Sequence, residues 1–437
     1  MDLVIAVNIK KEIFNVDLLV GGIKMNDAFS LLQSRGFVYQ CTNLEGLEKL
    51  LKSDKKVTFY LGIEPTADSI HIGHFFALMM FRHLQNAGHR GILLIGGATA
   101  MVGDPSGKSD MRTMMTKAQV EHNLEEVKTI AKKFIITEGD NPAIIVNNAD
   151  WTNQHSYIDF MRMVGVHFNV NVMLAAEAYA SRLNEGGLTF LEMGYMLMQA
   201  YDFVYLKDEY DCVLQIGGSD QWGNIVAGSH LYRKMQLANQ VTKTNDEIFG
   251  LTSPLLRTKE GKKMGKTESG TLWVDPERTS SYEFYQYFYN VDDKDVEMLL
   301  QLFTLIPLEE IAQLCQNDII QAKRVMAYEI TKLIHGKEGA NKAIETAKAL
   351  FSGEAQGDNA PESEYVVETD SINVVDLFFN SGMASSKGEV RRLIQQNGAS
   401  VDGVRCTSID DVISKPDDKN FVLLKKGKKS YLKVRFV

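Results

Sequence analysis

The sequence has little cysteine, and none of it is arranged to form a disulfide framework or a metal site. Only four cysteines occur in 437 residues, at Cys41, Cys212, Cys315 and Cys406, and no two form a CxxC pair. Disulfide-rich secreted domains and structural zinc modules depend on closely spaced cysteines. The sequence therefore predicts neither class, and it predicts no metal held by the protein's own side chains. Isolated thiols are typical of a cytoplasmic protein.

Long apolar runs and targeting signals are also missing. No stretch reaches the roughly 20 apolar residues that span a bilayer, so no membrane partner is predicted. Residues 1–24 lack the basic start, apolar core and cleavage site of a secretory signal, and they lack the Arg- and Ser-rich composition of a transit peptide. A helix-like segment begins at Met25. We expect Met25 to be the natural start and residues 1–24 to be an extension of unknown role.

The chain lacks the overall positive charge of a general nucleic-acid coat, since its formal net charge is −9. Residues 385–437 are an exception, with twelve Lys and Arg against six Asp and Glu. The sequence therefore predicts a small basic module on an acidic body.

Apolar strand-like runs alternate with helical segments over the first half of the chain. Strands are predicted within residues 57–63, 91–97, 143–151 and 212–222, and a helix is predicted over 71–87. This alternation indicates an α/β fold with a doubly wound parallel sheet, in which ligands bind at the carboxyl ends of the strands.

The remainder of the chain changes character. We predict the α/β domain over residues 25–277, with a glycine-punctuated loop at 258–270 near its end. A helical domain follows over 278–350, then a polar, acidic linker over 351–369 and a small α+β domain over 370–437.

The segment PTADSIHIGH, at residues 65–74, places two histidines and a glycine at the start of the predicted helix. His71 and His74 are three residues apart and share one face of the first turn, where free N–H groups and the helix dipole favour phosphate. Gly73 leaves room for a flat ring or a ribose near the backbone. A bare HxxH is more often two ordinary histidines, but HIGH after a strand and a turn is more specific.

Three lysines lie in the loop segment GKKMGKTESG, at residues 261–270. Taken singly, Lys262, Lys263 and Lys266 are most simply solvated surface charges. Together, in a mobile loop, their ammonium groups can close on phosphates and stabilise the charge of a phosphate-transfer step. The segment GDPSGKS suggests a P-loop as an alternative nucleotide site, but Val102 stands where that motif requires its first glycine.

HIGH, followed about 190 residues later by KMGKT, is similar to the signature pair of class I aminoacyl-tRNA synthetases. Gly265 and Thr267 stand where the second signature has serines, and both lysines are kept. FYLGIEPTADSIHIGH, GGATAMVGDPSGK, YMLMQAYDF and LQIGGSDQWGN closely resemble the tyrosyl-tRNA synthetases of the bacterial type, from about residue 25 to the C-terminus. The resemblance implies a Rossmann-like catalytic domain, a helical domain of the anticodon-binding type and an S4-like RNA-binding domain.

The resemblance also implies roles for individual residues. The implied tyrosine-binding residues are Tyr60 and Asp202 at the phenol, Asp104, Tyr195 and Gln199 at the ammonium group, and Gln221 near the carboxyl group. The implied ATP-binding residues are Thr66, His71, Gly73, His74, Gly218, Asp220, Lys263, Lys266 and Thr267, and Lys108 and Arg112 would contact phosphates from a mobile loop. A buried hydroxyl and carboxylate need partners, which the phenol of tyrosine supplies and phenylalanine lacks.

The chain departs from this family at Glu64, where the family usually has aspartate in the segment G-F-D-P-T-A-D. The resemblance places this position in the adenylate site. The extra methylene of glutamate would shift a contact to the ribose or to the ammonium group.

The basic C-terminal module resembles the S4-type RNA-binding fold. Lys387, Arg391 and Arg392 lie on a short amphipathic helix, and the segment KKGKKSYLKVRF closes the chain with basic residues beside an aromatic one. Contacts from these side chains to RNA phosphates are expected to be salt-sensitive. A basic solvated tail is the simpler alternative, but the alternating apolar residues favour a folded domain.

The activity implied by the resemblance is ligation of L-tyrosine to tRNA(Tyr). Tyrosine would be activated with ATP, accompanied by Mg²⁺, and transferred to the tRNA by a homodimer. A tryptophanyl-tRNA synthetase, an inactive RNA-binding relative and a P-loop phosphotransferase are the alternatives. The pair Tyr60 and Asp202 disfavours the first alternative, intact HIGH and both loop lysines disfavour the second, and Val102 disfavours the third.

Overall fold

The computed structural model divides the chain into two compact units, each of which is described by itself. They are Met1–Met264 with Met298–Leu308, and Gly265–Glu297 with Glu309–Val437. The described residues are 27–106, 114–185, 187–238, 247–267, 270–352, 362–417, 419–427 and 430–437. The extension predicted for residues 1–24, together with Met25, lies outside them.

The first unit is built on a six-stranded sheet. Its strands are β1 (Gln40–Cys41), β2 (Thr58–Ile63), β3 (Arg90–Ile95), β4 (Ile144–Asn147), β5 (Cys212–Gly218) and β6 (Phe249–Ser253). They lie in the order β1-β6-β5-β2-β3-β4. The strands from β6 to β4 are parallel, and β1 runs antiparallel to β6. The chain winds outward from β2 to β4 and returns on the other side of β2 with β5 and β6. This is the doubly wound order predicted from the sequence, and its switch point lies between β2 and β5.

The four apolar runs predicted as strands correspond to β2, β3, β4 and β5. Their continuous apolar character is that of parallel strands buried on both faces. The sequence analysis does not predict β1 or β6. The first has only two residues, and the second, FGLTS, has only two large apolar side chains although all five of its residues are buried.

Ten α-helices are described in the part of this unit that ends at Met264. They are α1 (Ala28–Ser34), α2 (Leu44–Leu51), α3 (Ile72–Asn86), α4 (Lys117–Ala131), α5 (Ala149–Thr152), α6 (Tyr157–Met163), α7 (Val170–Leu174), α8 (Glu177–Glu185), α9 (Phe190–Tyr210) and α10 (Trp222–Ala238). The helix predicted over residues 71–87 is α3. It packs on the sheet, with the ring of Phe81 4.8 Å from that of Phe59 in β2.

The start of α9 is fixed by a capping box and a buried ion pair. Glu192 N donates to Thr189 Oγ1 at 3.2 Å, and Thr189 N donates to Glu192 Oε2 at 2.9 Å. The other carboxylate oxygen of Glu192 accepts from Arg182 Nη2 at 2.8 Å, and both charged side chains are buried. A box of this kind satisfies N–H groups that a helix start leaves free. The helix that carries Tyr195 and Asp202 therefore begins at a defined residue.

After residue 278 the chain is helical as far as Ser352, as predicted. The helices are α11 (Ser281–Tyr289), α12 (Asp293–Phe303), α13 (Leu308–Asn317) and α14 (Ile319–Ser352). Gly336 interrupts α14 with a φ of 73°, a conformation that favours glycine. Just before these helices, β7 (Lys266–Thr267) and β8 (Gly270–Thr271) form a short antiparallel pair.

The C-terminal part of the second unit is a small α+β module, as predicted. It includes the strand Glu362–Val367, which lies in the segment 351–369 predicted as a linker, because this strand pairs with Ser430–Phe436 and Val367 is buried in the core of the module. Its elements are β9 (Glu362–Val367), β10 (Ser371–Asn373), α15 (Val374–Asn380), α16 (Lys387–Gln395), β11 (Ala399–Val401), β12 (Val404–Arg405), β13 (Val412–Ser414), β14 (Phe421–Lys426) and β15 (Ser430–Phe436). Five of its strands form a sheet in the order β12-β11-β14-β15-β9. Phe378 and Ile394 belong to a core of its own with Leu424 and Val434. Across all described segments, no helix combines the length and apolar composition needed to cross a membrane.

Candidate active site

The carboxyl ends of β2 and β5 carry seven of the residues that the sequence analysis selects in the first unit. β2 ends at Ile63 and leads into Glu64 and Thr66, and β5 ends at Gly218 and leads into the 3-10 helix Ser219–Gln221. The two strands are parallel neighbours. Their following loops therefore meet at one edge of the sheet, at the switch point where doubly wound folds bind ligands.

His71 is the N-cap of α3, and its ring is folded back onto the helix. Its Nδ1 accepts a hydrogen bond from Gly73 N at 3.0 Å, so the neutral ring carries its proton on Nε2. The rings of His71 and His74 stack, with their centroids 4.0 Å apart. A Cβ at Gly73 would lie 2.9 Å from His71 Cε1. The glycine therefore makes room for the histidine cap, and the pair sits where a helix N-terminus favours an anion.

Asp104 connects the loops at the two strand ends. Its Oδ2 accepts from Gln221 Nε2 at 2.7 Å, and its Oδ1 accepts from Ser106 N at 2.9 Å. The backbone N–H of Asp104 points to Glu64 Oε2 at 3.4 Å. Asn224 Nδ2, on α10, lies 3.4 Å from Gln221 Oε1. The structure thus brings Asp104 and Gln221, which the resemblance assigns to opposite ends of the amino acid's backbone group, into direct contact.

Tyr60 and Asp202 lie close together in the core, only 1% and 2% exposed. Burial and the nearby Asp202 charge raise the pKa of Tyr60 well above its ordinary value. Burial also raises the pKa of Asp202 to about 7, against the lowering effect of hydrogen bonds from two neighbours. Among the described residues the Tyr60 hydroxyl has no hydrogen-bond partner, although buried hydroxyls normally have one. A polar group that reached Tyr60 would therefore supply the missing partner of its hydroxyl.

The two neighbours that hold Asp202 are Asn148 and Trp151, which the sequence analysis does not select. Asn148 Nδ2 donates to Asp202 Oδ2 at 3.0 Å, and Trp151 Nε1 donates to Oδ1 at 2.8 Å. The ring of Trp151 stacks on Tyr205 at 4.3 Å. The sequence does contain a signal for Asn148. The polar pair NN directly follows the apolar strand AIIV, at the edge of the sheet where ligands bind in this fold.

Gln215 is a second residue that the sequence analysis misses. It lies opposite Tyr60 in the register of β5 and β2 and is 3% exposed. Residues that are paired across neighbouring strands point to the same face. Among the described residues, Gln215 Oε1 has no hydrogen-bond partner, and the same holds for Oε1 of Gln199, a predicted site residue on α9. The sequence signal for Gln215 is its position as a polar residue inside the apolar run CVLQIGG.

Tyr195, on α9, is predicted at the ammonium group and is 5% exposed. Its pKa is raised well above the ordinary value, first by burial and then by the charges of Glu64 and Asp104. The charges of Glu64, after β2, and Asp104, after β3, therefore both act on Tyr195.

Thr66 borders a cavity of about 320 Å³, lined also by Gly103, Met115 and Gln119. On the β5 side, a Cβ at Gly218 would lie 2.5 Å from Asp220 Oδ1. Glycine at this position allows the carboxylate to fold back over the strand end. These predicted ATP-site residues thus lie on open parts of the site and not in the core.

Parts of the predicted phosphate-binding loops fall outside the described structure. Lys108 and Arg112 lie among the residues that are not described. Lys266 and Thr267 form β7, of which only the backbone is described. Lys263 is exposed and pairs through its backbone with Arg257.

The three basic residues predicted to contact tRNA lie on the exposed side of α16. Lys387 Nζ is 2.6 Å from Asp376 Oδ1 and 5.9 Å from the centre of the Phe379 ring. Among the residues that the structure describes, neither Arg391 nor Arg392 forms a salt bridge, whereas Lys387 has an ion-pair partner in Asp376.

Family models match almost the whole chain. The family described as tRNA synthetases class I (W and Y) matches residues 52–352, and the Tyrosine--tRNA ligase SYY-like C-terminal domain matches residues 354–434. The first match alone covers more than half of the sequence, and the chain belongs to this class I family.

Within that family, the chain matches bacterial tyrosine–tRNA ligases along nearly its whole length. It is 48% identical over 419 residues to that of Acetivibrio thermocellus, covering 94% of this chain and 100% of the relative. It is 47% identical to tyrosine–tRNA ligase 1 of Clostridium acetobutylicum, with 94% and 99% covered. A C-terminally truncated mitochondrial tyrosyl-tRNA synthetase from Coccidioides posadasii superposes with a TM-score of 0.63 at 32% identity, covering 73% of this chain and 91% of that one.

Proposed function

We propose that this chain is a tyrosine–tRNA ligase. It activates L-tyrosine with ATP to give tyrosyl-adenylate and pyrophosphate, and then transfers the tyrosyl group to the 3′ end of tRNA(Tyr). The names of the bacterial relatives support this proposal, and so do the two family matches.

The buried pair Tyr60 and Asp202 is the observation that supports tyrosine as the amino acid substrate. A phenol entering between them donates its proton to the carboxylate and accepts from the Tyr60 hydroxyl, which has no partner among the described residues. Phenylalanine offers neither bond and leaves two buried polar groups unsatisfied, which is costly. Discrimination of this kind requires no editing site, and tyrosine enzymes are a known example of it.

The remaining site residues are proposed to hold the other parts of the substrates. Asp104, Tyr195 and Gln199 receive the ammonium group, and Gln221 lies at the carboxyl group. This assignment is supported by the hydrogen bond between Asp104 and Gln221, because it places the two ends of the amino acid's backbone group next to each other.

ATP is proposed to lie across the loops that follow β2 and β5. The adenosine ribose is assigned to Gly218 and Asp220. The phosphates are assigned to Thr66 and the histidine pair, with Gly73 allowing the close approach. Lys263, Lys266, Thr267, Lys108 and Arg112 are assigned to the phosphates from their loops. Histidine Nε2–H at a helix N-terminus is a suitable donor to an anion.

The activation step requires the protein to position tyrosine and ATP, and it requires no covalent intermediate with the protein. The tyrosine carboxylate attacks the α-phosphorus of ATP, the bond to the bridging oxygen breaks, and pyrophosphate leaves. In-line placement and cations on the departing group lower this barrier. No group of three or more His, Cys, Asp or Glu among the described residues is arranged to hold a metal. Mg²⁺ is therefore proposed to arrive on the triphosphate, with phosphate and water ligands.

The second step transfers the tyrosyl group to a ribose hydroxyl of the tRNA, which releases AMP. The helical domain proposed over residues 278–350 would hold the anticodon region, and the S4-like domain proposed over 370–437 would contact RNA phosphates through Lys387, Arg391 and Arg392. We propose the cytoplasm as the place of this activity, supported by the four isolated thiols.

A homodimer is proposed as the working form. Twenty large apolar side chains are strongly exposed among the described residues, and eight of them lie between Tyr157 and Leu191. Concentrated exposed apolar surface is typical of a protein–protein interface. A second copy of the chain is the proposed occupant.

The experiment that tests the function is amino-acid-dependent exchange of pyrophosphate into ATP without tRNA, with each of the twenty amino acids in turn. We expect exchange with tyrosine alone. The variant Asp202→Asn is expected to lose most of this exchange while remaining folded, because the amide cannot accept the phenol proton as a carboxylate does. Exchange with tryptophan instead would identify the chain as a tryptophanyl-tRNA synthetase, the other member of its family. No exchange from folded protein would overturn the proposed activation step.

A further inference from the structure

Gly265 lies in the sequence between the two lysines of the loop signature, Lys263 and Lys266. It is buried, although Lys263 is exposed. Gly265 N donates a hydrogen bond to the hydroxyl of Tyr287, on α11, at 3.0 Å. Its carbonyl oxygen accepts from Leu272 N, just after β8, at 2.9 Å. Both backbone polar groups of this one residue are therefore held by neighbours in the second unit, and one of the two partners is a side chain.

The helix that carries Tyr287 is well anchored. Its start is fixed by a capping box, in which Glu283 N donates to Ser280 Oγ at 3.3 Å and Ser280 N donates to Glu283 Oε2 at 3.1 Å. Phe284 and Phe288 are fully buried, with their ring centres 5.2 Å apart. The half-buried ring of Tyr287 meets Phe288 edge to face at 5.2 Å. The hydroxyl is therefore presented to Gly265 from a packed ring on a capped helix.

The backbone conformation of Gly265 explains why glycine stands at this position. Its φ is 93°, in the left-handed region that glycine adopts readily and other residues adopt at a cost. The general class I signature has serine here, and a serine side chain would strain this conformation. The turn that directs the N–H of residue 265 to the Tyr287 hydroxyl therefore depends on glycine.

We propose that Tyr287 is a positioning residue for the signature lysines. Its hydroxyl holds Gly265 and so fixes the backbone from which Lys266 extends, one residue further along the chain. In the proposed activation step, the lysines stabilise the departing pyrophosphate, and a cation whose backbone is already placed needs less ordering as that charge develops. This inference rests on the proposed function and deepens it, because it adds to the activation step a residue from outside the catalytic domain predicted over 25–277.

Tyr287→Phe removes the hydroxyl and keeps the ring against Phe288. In tyrosine-dependent pyrophosphate exchange, we expect kcat to fall about fivefold with the KM for tyrosine unchanged, because the lost bond affects the lysines at the phosphates and not the amino acid. Tyr282→Phe is the matched control. Tyr282 lies on the same helix, and its buried hydroxyl has no hydrogen-bond partner among the described residues, so this variant should have wild-type kcat. A rise in the KM for tyrosine in Tyr287→Phe that matches the fall in kcat would overturn the proposal.

A double-mutant cycle with Lys266→Ala separates positioning from a purely structural role. If Tyr287 acts through Lys266, the Tyr287→Phe change should have little further effect on kcat once the lysine side chain is gone. A purely structural contribution would instead lower kcat by the same factor with or without the lysine, and this additive result would overturn the positioning role.

Limited digestion with trypsin tests the contact without relying on activity. Lys262 and Lys263 are exposed, and the bond from Gly265 to Tyr287 follows them closely in the chain. Cleavage after these lysines, followed by mass spectrometry, should be about fivefold faster in Tyr287→Phe than in wild type or Tyr282→Phe, because a segment that loses a hydrogen bond opens more often. Equal cleavage rates would overturn the inference.

The exchange assay also distinguishes failure of this inference from failure of the proposed function. If wild type exchanges with tyrosine and Tyr287→Phe has the same kcat, the inference fails and the proposed function stands. If wild type itself shows no tyrosine-dependent exchange, both fail.

Discussion

The amide of Asn148 donates a 3.0 Å hydrogen bond to the buried carboxylate of Asp202 and cannot turn away from it. Its Oδ1 accepts from Ala98 N at 2.8 Å, which fixes which end of the amide faces the carboxylate. Its Nδ2 also lies 3.1 Å from Thr99 Oγ1. The carboxylate that is proposed to receive the phenol is therefore oriented before any ligand arrives, which is how a supporting shell of residues makes a binding site specific.

The first prediction concerns Trp151, the other donor to Asp202. Trp151→Phe keeps an aromatic ring against Tyr205 but removes the N–H that lies 2.8 Å from Asp202 Oδ1. We expect the KM for tyrosine to rise about tenfold in pyrophosphate exchange, because a hydrogen bond to a charged group contributes about 1.5–3 kcal/mol. Tyr205→Phe is the control, since it alters the same ring stack without touching the carboxylate. Equal effects from the two variants would mean that packing, and not the hydrogen bond, supports the site.

The second prediction is that Tyr60→Phe impairs selection without destabilising the protein. The Tyr60 hydroxyl is buried without a partner among the described residues, so its removal should leave the free energy of unfolding unchanged or raise it by roughly 1 kcal/mol. The ratio of kcat/KM for tyrosine to that for phenylalanine should fall about tenfold or more, since the phenol loses one bond. Urea unfolding and pyrophosphate exchange measure the two quantities.

Tyr179→Phe is the matched control for this prediction. Tyr179 is equally buried, but its hydroxyl donates to Met193 O at 2.9 Å and accepts from Met196 N at 3.2 Å. Removing it should lower the free energy of unfolding by about 1–2 kcal/mol and leave the tyrosine preference nearly intact. A destabilised Tyr60→Phe variant with unchanged preference would contradict the role proposed for Tyr60.

The third prediction is a pH dependence of tyrosine binding. Burial raises the pKa of Asp202 to about 7 in the free protein, and the phenol donates its proton to the ionised form. Affinity should then follow the ionised fraction, so the Kd for tyrosine should be about tenfold higher near pH 6 than near pH 8. Tyr60 and Tyr195 do not ionise in this range because their pKa values are raised.

Equilibrium dialysis of tyrosine across this pH range measures the effect. In Asp202→Asn the remaining weak binding should be flat with pH. A wild-type Kd that does not change across the range would contradict the prediction that Asp202 ionises between pH 6 and pH 8 and that its ionisation controls tyrosine binding.

Periodicity and motif spacing predict the architecture because the signals are local. β2 and β5 are short apolar runs, and the loops after them carry several of the polar residues of the site. The topological rule then places these loops at one edge without any knowledge of contacts. The sequence does not predict β6, because FGLTS has no apolar pattern of its own. All five of its residues are buried by neighbouring elements.

The sequence does not predict the supporting residues of the site, for a different reason. Asn148 and Trp151 act through Asp202, which is more than 50 residues away in sequence, and only tertiary packing brings them together. Gln215 faces Tyr60 only because β2 and β5 are neighbours in the sheet. A single sequence identifies residues whose type suggests chemistry, and it does not identify those whose role is to orient others.

The fourth prediction concerns the proposed homodimer. Val166 and Val172 are 70% and 69% exposed and belong to the apolar group between Tyr157 and Leu191. Replacing both with glutamate should give a monomer by light scattering at concentrations where wild type is a dimer, because an interface tolerates unpaired charge poorly. Val404→Glu, at a site 72% exposed in the C-terminal module, is the control and should leave the mass unchanged. A wild-type monomer would overturn the dimer proposal.

The fifth prediction separates the basic residues of α16 by their surroundings. Arg391 and Arg392 are exposed, whereas Lys387 already lies 2.6 Å from the carboxylate of Asp376. Replacing each arginine with glutamine should reduce the slope of log K against log salt for tRNA(Tyr) binding by about 0.7–0.9, because one phosphate contact is lost. Lys387→Gln should change the slope less, since its charge is partly neutralised in the free protein. Filter binding over a salt series measures these slopes, and pyrophosphate exchange without tRNA should be unchanged in all three variants. If the double arginine variant keeps the wild-type slope, the RNA contact lies elsewhere in the chain.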